Sequence, residues 1–150
     1  MKISIFAGVL ECEANVAWFR NQLIGEEMHE DDCTNGINGR GIKKDDGSCK
    51  WSNTFIRASL EAVAAVCKTA ALKGNLHESK TTFDLILCEQ TKEMAAKKDK
   101  PPNCPYKKGE LKKNRKIVIG CDKYGPIHFE KLQRSPVQVP VWTKVQSVDW

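Results

Sequence analysis

The apolar positions in the first part of the chain recur with the period of a helix. Val16, Phe19 and Leu23 follow the i, i+3 and i+7 spacing of a single helix face. The residues around them also suit a helix, because neither glycine nor proline interrupts them before residue 25. This pattern predicts a helix from Ala14 to about Glu27.

A loop and a second helix are predicted next. Residues 33–48 are rich in Gly, Asn and Asp, which favours a loop or a very short helix. Residues 59–67 have the clearest helical pattern, because Ser59 can serve as the N-cap and an apolar face follows it. That face consists of Leu60, Val63, Ala64 and Cys67.

Beyond residue 80 the pattern changes to short apolar or β-branched runs, which are typical of strands. Residues 82–88 and 116–121 predict two strands, and turn residues and charges separate them. The prolines of residues 101–105 fix a turn, and we expect another short strand around Tyr106. Helices first and strands later predict an α+β domain with an antiparallel sheet.

The two ends of the chain differ from the part between them. Residues 1–13 begin with a basic residue and an apolar run, which acidic residues then interrupt, so we interpret them as a short apolar leader or an incomplete signal peptide. In residues 133–150, Pro136 and Pro140 interrupt an alternation of valines. An edge strand would fit that alternation, but two prolines favour a mobile extension. We therefore place one domain at residues 14–132.

The composition indicates one modest domain with a basic surface. The 150 residues are 41% hydrophobic, enough for one core, and carry a formal net charge of +5. Positive charge concentrates between residues 92 and 116, where ten Lys or Arg residues accompany three acidic ones. This concentration favours polyanionic partners, and a solvated loop surface has the same composition.

Seven cysteines in a chain of this size predict a disulfide framework and an oxidising compartment, hence a secreted, extracellular protein. None of their spacings is the Cys-x-x-Cys typical of zinc or redox sites, so we predict no metal. The odd count leaves one cysteine over, and Cys12, isolated near the N-terminus, is the candidate. The sequence by itself leaves the pairing of the other six open.

Two segments far apart in the chain hold the residues of a phosphate-and-base site. Residues 49–55 are Cys-Lys-Trp-Ser-Asn-Thr-Phe, and residues 126–130 are Pro-Ile-His-Phe-Glu. With the cysteine spacing, they resemble the signature segments of the pancreatic-type ribonuclease (ribonuclease A) superfamily over about residues 16–132. The resemblance implies a ribonuclease A-like fold, with N-terminal helices packed on a twisted antiparallel sheet. It also implies three disulfides, namely Cys33–Cys88, Cys49–Cys104 and Cys67–Cys121.

The same resemblance implies the roles of individual residues in RNA cleavage, in which the ribose 2′-hydroxyl attacks the adjacent phosphorus. His128 would be the general acid, with Glu130 as its acidic partner, and Lys50 would be the cation beside the transition state. The other implied contacts are Asn53 orienting Lys50, Thr54 pairing with a pyrimidine, Phe55 and Phe129 forming the walls of its pocket, and Gln22 contacting the phosphate.

The general base is the element that this sequence lacks. The first helix of the superfamily carries Phe-x-x-Gln-His, and residues 19–23 here are Phe-Arg-Asn-Gln-Leu. Leu23 cannot accept a proton, and its spacing from Phe19 indicates an ordinary core position. We expect His29 on the surface in an acidic segment and His77 exposed in a polar loop, so neither is an obvious substitute.

Three functions are compatible with these features. We predict first a secreted ribonuclease A-fold protein that is catalytically inactive or very weak and keeps a cleft for nucleic acid or another polyanion. One alternative is an active pyrimidine-preferring endoribonuclease that forms a 2′,3′-cyclic phosphate. The other is a cationic host-defence or heparin-binding protein, whose partner is a glycan or an anionic membrane surface. We predict a monomer without a cofactor.

Overall fold

A computed structural model describes residues 7–132 of the chain, with side chains described for residues 15–130. Residues 1–6 of the predicted leader and the predicted extension, residues 133–150, lie outside the described residues. The domain boundaries therefore stay predictions. No helix in residues 7–132 is long and apolar enough to cross a membrane.

The described chain places most of its helices before most of its strands, which confirms the predicted α+β class. The helices are α1 (Ala7–Leu23), α2 (Cys33–Gly39), α3 (Leu60–Ala64) and α4 (Lys92–Ala96), with 3-10 turns at Glu30–Asp32 and Ala65–Lys68. The strands are β1 (Ser52–Ile56), β2 (Ala71–Lys73), β3 (Leu76–Glu78), β4 (Phe83–Glu89), β5 (Glu110–Arg115), β6 (Ile117–Asp122) and β7 (Gly125–Leu132).

The strands divide into two antiparallel sheets, one with the order β1-β4-β5 and one with the order β2-β3-β6-β7. In the first sheet, β1 and β4 are buried on both faces. Phe55 pairs with Ile86 and Ile56 pairs with Leu85, and all four side chains are fully buried. Successive side chains of a strand point to opposite faces, so each face of this strand pair needs its own apolar cover.

Two clusters of buried side chains supply that cover. Helices α1 and α3 contribute to one cluster, and α2 contributes to the other. This packing places α1 beside β1 and β7, the strands that carry Asn53, Thr54, His128 and Phe129 among the predicted site residues. The first cluster includes Phe19, Leu23, Ile56, Val63, Leu85 and Ile119, and the second includes Ile37, Ile42, Phe55, Ile86 and Tyr106.

Three disulfides join early elements to late ones, with the pairing that the resemblance implied. They are Cys33–Cys88, Cys49–Cys104 and Cys67–Cys121, and their partners are 54 or 55 residues apart in sequence. Closing a loop of this length removes entropy from the unfolded chain, by about 4 kcal/mol for each bridge in the chain-entropy account. The bridges therefore supplement the modest apolar core.

The ends of α1 differ from the prediction, because the helix begins at Ala7 and ends at Leu23. After Leu23 the chain leaves the helix to pair with the end of β1, where Ile24 forms a parallel bridge with Ile56. The Arg40 guanidinium completes the helix end by donating hydrogen bonds to the carbonyl oxygens of Asn21 and Ile24, at 2.9 and 2.6 Å. Partners distant in sequence thus decide where α1 stops.

Ser59 is the N-cap of α3, as predicted, and its hydroxyl accepts a hydrogen bond from the amide of Ala62 at 3.1 Å. Two other predictions were wrong. Tyr106 lies in a loop rather than in a strand, and β5 begins at Glu110. His77 lies in β3 rather than in an exposed loop, half-buried, with Nδ1 2.8 Å from the carbonyl oxygen of Thr69.

Removal of one disulfide tests its contribution to stability. We expect replacement of both Cys67 and Cys121 by serine to lower the free energy of unfolding by about 2–5 kcal/mol, because the unfolded chain regains loop entropy. Urea unfolding followed by circular dichroism measures this change. Ser59→Gly, which removes only a nearby cap side chain, is the control and should cost a few tenths of a kcal/mol. Equal stability of the double variant and the parent would contradict this account.

Candidate functional site

A cleft of about 290 Å³ lies where α1, β1 and β7 meet. It brings together residues that are more than 70 positions apart in sequence, since Lys50 and His128 both line it. Six of the eight side chains that the resemblance assigned to the site line the cleft together with Leu23, and Glu130 contacts the lining residue His128. The lining residues are Trp18, Gln22, Leu23, Lys50, Ser52, Asn53, Thr54, His128 and Phe129.

A buried amide connects α1 to β1 and holds Lys50 in the cleft. Asn53 is only 4% exposed, and its Nδ2 donates to the backbone oxygen of Gln22 at 2.9 Å. Its Oδ1 accepts a hydrogen bond from Lys50 Nζ at 3.1 Å, and Gln22 Oε1 lies 3.5 Å from the same nitrogen. Asn53 is therefore hydrogen-bonded to the Lys50 ammonium group and to the backbone of α1 at the same time.

The surroundings of Lys50 favour binding of an anion. Burial lowers the pKa of the Lys50 ammonium from its usual value, because the charged form loses hydration. The polar contacts with Asn53 and Gln22 replace only part of that hydration. A phosphate oxygen beside Nζ would compensate the remaining charge, since opposite charges attract more strongly in partly desolvated surroundings.

The backbone of Lys50 is anchored from the other side by Tyr106. The phenol of Tyr106 donates a hydrogen bond to the Lys50 carbonyl oxygen at 2.7 Å. Burial raises the pKa of Tyr106 from 10.0 to about 12, because a phenolate would lose its hydration there. This contact explains why Tyr106 lies in a loop, and the residues next to it in sequence did not predict it.

His128 and Glu130 lie two positions apart on β7, so their side chains share one face of the strand. His128 Nε2 lies 2.7 Å from Glu130 Oε1. Gly120 on β6 pairs with His128 on β7, and a Cβ added at Gly120 would lie 3.2 Å from the Cβ of His128. The missing side chain at Gly120 leaves room for His128, and the Glu130 carboxylate contacts its ring.

Leu23 occupies the wall of this cleft and the apolar core at once. Its exposed fraction is 6%, and it packs in the same cluster as Phe19 and Ile24. The side chain has no lone pair, so α1 offers no proton acceptor at this position. Neither His29 nor His77 lines the cleft.

Phe55 does not lie where the resemblance placed it. It is fully buried in the second core cluster, where the Arg40 guanidinium lies 5.2 Å from the centre of its ring. Thr54 and Phe129 do line the cleft. Successive side chains of β1 point to opposite faces, so a strand that turns Thr54 toward the cleft turns Phe55 into the core.

Trp18 and Ser52 line the cleft and were missed at the level of sequence. The sequence did hold a signal for Trp18, since it lies four residues before Gln22 and therefore on the same face of α1. Among the described residues, no group of three or more His, Cys, Asp or Glu side chains could hold a metal ion.

Comparison with known proteins agrees with the fold. The profile described as pancreatic ribonuclease matches residues 14–137. The chain belongs to the pancreatic ribonuclease family. Similar relatives within this family include the pancreatic ribonuclease of Camelus dromedarius, 44% identical over 92 residues that cover 57% of this chain and 68% of that protein. The pancreatic ribonuclease of Balaenoptera acutorostrata is 38% identical over 95 residues, which cover 59% and 71%.

Solved structures of ribonucleases share the fold of this family member. Zebrafish RNase5 superimposes with a TM-score of 0.69 at 28% identity and covers 81% of this chain and 97% of its own. Green turtle egg-white ribonuclease has a TM-score of 0.65 at 25% identity, with 79% and 98% covered. The ribonuclease A-like fold and the family resemblance are thereby confirmed.

Alkaline titration tests the anchor beneath Lys50. Because folding raises the pKa of Tyr106 to about 12, its stabilising contribution is full below pH 10 and is lost as the pH rises toward 12. We expect the parent to lose more unfolding free energy between pH 9 and pH 11.5, in urea titrations, than Tyr106→Phe, which has no phenol to ionise. Equal losses in both proteins would contradict the buried phenol.

Proposed function

We propose that this ribonuclease-family chain is a secreted, monomeric protein that binds RNA in the cleft and cleaves it weakly or not at all. The observation that carries the proposal is the buried Leu23, which shares the cleft with Lys50 and His128. The groups that hold an RNA phosphate are in place, and the group that would start the reaction is not.

Cleavage of RNA by its own 2′-hydroxyl needs three contributions at the phosphate. A base removes the proton of the 2′-oxygen, an acid protonates the departing 5′-oxygen, and a cation stabilises the phosphorane-like transition state. Protonated His128 would supply the acid, and Lys50 would supply the cation. Glu130 holds the Nε2 side of the imidazole at 2.7 Å, which leaves Nδ1 to serve the phosphate.

Leu23 removes the first of these contributions. Loss of a positioned base lowers the rate by about 10²–10⁴-fold, even where the acid and the cation remain. Burial of the leucine contributes about 1.5–3 kcal/mol to folding, which an imidazole at the same place would not fully match. The substitution therefore favours stability over proton transfer.

RNA is the ligand that these cleft residues suit best. Thr54 has a hydroxyl for the edge of a base, and Phe129 contributes an apolar wall beside it. The relatives compared above are named ribonucleases, which supports RNA as the bound polymer. The three disulfides support secretion, because such bridges persist in oxidising compartments.

The lysine-rich segment, residues 92–116, gives less support to a host-defence or heparin-binding function. Strand β5 lies at the opposite edge of its sheet from β1, so this segment is not part of the cleft wall. Its lysines are partly offset by carboxylates within 4.0 Å. These pairs are Lys107 with Glu89, Lys108 with Asp31 and Lys112 with Glu110.

Restoring a base at residue 23 tests the proposal directly. We expect Leu23→His to raise cleavage of cytidylyl-3′,5′-adenosine by about 10²–10⁴-fold, since it supplies the missing proton acceptor. Leu23→Asn is the matched control, because it introduces a polar side chain of similar size without a base, and it should gain nothing. Near-ultraviolet circular dichroism checks that both variants fold.

The same assay contains the results that would contradict the proposal. The gain of Leu23→His must disappear when His128→Ala is added, because the acid is then missing. Efficient cleavage by the parent chain that depends on His128 would establish an active endoribonuclease instead. No gain in a folded Leu23→His variant would mean that Lys50, Thr54 and His128 are not aligned for reaction.

Neutralising the lysine-rich segment tests the alternative partner. We expect the parent to release little dye from anionic phosphatidylglycerol vesicles, and a variant with glutamine at residues 107, 108, 112 and 113 to behave the same. The variant should also keep more of its affinity for RNA than Lys50→Ala does, because Lys50 lies in the cleft. Vesicle lysis that the four substitutions abolish would favour the host-defence function.

A further inference from the structure

Two large aromatic side chains near Lys50 are exposed to solvent. Trp18 on α1 is 52% exposed, and Trp51, next to Lys50 in the chain, is 50% exposed. Among the described side chains, the other large apolar residue with comparable exposure is Leu72, in β2. About half of the surface of each tryptophan is thus kept in water near Lys50, where burial would have been favourable.

Trp18 lies at the junction of the cleft with a second groove. This groove, of about 470 Å³, is lined by Trp18, Gln22 and Lys50, which also line the cleft, and by the loop of residues 43–46. The two depressions therefore share one wall. A strand bound with its phosphate at Lys50 could continue along that wall, over the indole, to the loop.

The groove carries a small net positive charge. Lys43, Lys44 and Lys50 line it together with Asp45 and Asp46, which leaves one positive charge in excess. Asp46 is turned back into its own loop, because its Oδ1 accepts hydrogen bonds from the amide and the hydroxyl of Ser48 at 2.9 and 2.6 Å. Lys43 and Lys44 are exposed and can reach a phosphate.

We infer that Trp18 is a stacking platform for a base of single-stranded RNA, and that Lys43 and Lys44 contact the phosphate next to that base. The inference rests on the proposed RNA-binding function and extends it beyond the nucleotides at Lys50 and His128. Every base has a π-face, so this subsite accepts any base, whereas Thr54 contacts a base edge.

The indole distinguishes this ligand from a sulfated glycan. A groove with one excess positive charge binds a polyanion only weakly through charge, since each phosphate or sulfate contact needs its own cation. Stacking adds an attraction that depends on a base and not on the charge of the polymer. Stacking of a base on an aromatic side chain typically changes affinity by about 5- to 150-fold.

The experiment compares three ligands with four variants. A fluorescein-labelled hexauridylate with 2′-O-methyl riboses, which cannot be cleaved, is titrated beside an abasic oligomer with the same number of phosphates and a heparin hexasaccharide. We expect Trp18→Ala to weaken hexauridylate binding by about 5- to 150-fold in fluorescence anisotropy, and to leave binding of the abasic oligomer unchanged. Trp51→Ala, the matched control with equal exposure, should change neither.

The conservative variant and Lys50 separate this inference from the function on which it rests. Trp18→Phe should keep part of the affinity for hexauridylate, and thermal unfolding should give similar midpoints for all variants.

If the parent binds hexauridylate through Lys50 but Trp18→Ala binds it equally well, the stacking site is wrong and the proposed function stands. If the parent does not bind hexauridylate, or binds it equally well after Lys50→Ala, the proposed function fails. Equal loss of abasic and base-containing ligand in Trp18→Ala, or equal effects of Trp51→Ala, would overturn the stacking role.

Discussion

The three disulfides are the constraint on which the site depends, because each ties a helix or loop of the first half to the second half of the chain. Cys49 immediately precedes Lys50, and Cys88 pairs with Asn53 across the first sheet. Cys121, on β6, pairs with Pro126 on β7, and Pro126 lies two residues before His128. The bridges thus hold the backbone on both sides of the cleft, where a core of this size would allow movement.

Within this frame, Lys50 and His128 each have a hydrogen-bond partner in the protein, and Leu23 lines the same cleft without a proton acceptor. The amide of Asn53 joins α1 to Lys50, and the carboxylate of Glu130 orients His128. These contacts are made within the protein itself and hold the groups in place before any ligand arrives. The apolar side chain of Leu23 both packs against the core cluster of Phe19 and lines the cleft. A leucine at residue 23 thus leaves the hydrogen bonds of Lys50 and His128 in place.

The exposed Trp18 bears on which kind of ligand the cleft suits. A protein that cleaves RNA must release its products, whereas a protein that holds RNA gains from each added contact along the strand. Trp18 and the loop of residues 43–46 extend the cleft in the direction of α1 and supply contacts that do not depend on the reaction. A stacked base and a held phosphate suit a binding protein, and the unreactive Leu23 is consistent with this.

Local patterns in the sequence determined the elements whose residues contact near neighbours. The helix that Ser59 caps followed from its cap and apolar face, and strands β4 and β6 followed from short apolar runs, because these signals depend on residues near in sequence. The signature residues around Lys50 and His128, through their resemblance to a known family, identified several of the groups that the structure places on the cleft wall. The sequence also showed a leucine at residue 23, where the resemblance implies a base.

The tertiary structure decided the features that depend on partners far away in the chain. Arg40 and the Ile24–Ile56 bridge end α1 four residues earlier than its own pattern suggests. Tyr106 forms a loop contact with Lys50 instead of a strand, and Phe55 packs in the core instead of the cleft. The direction of a side chain and the end of a helix depend on which groups packing brings within hydrogen-bond distance, and sequence spacing does not contain that information. For this protein, the sequence alone identified the chemical groups, and the fold decided which of them share a cleft.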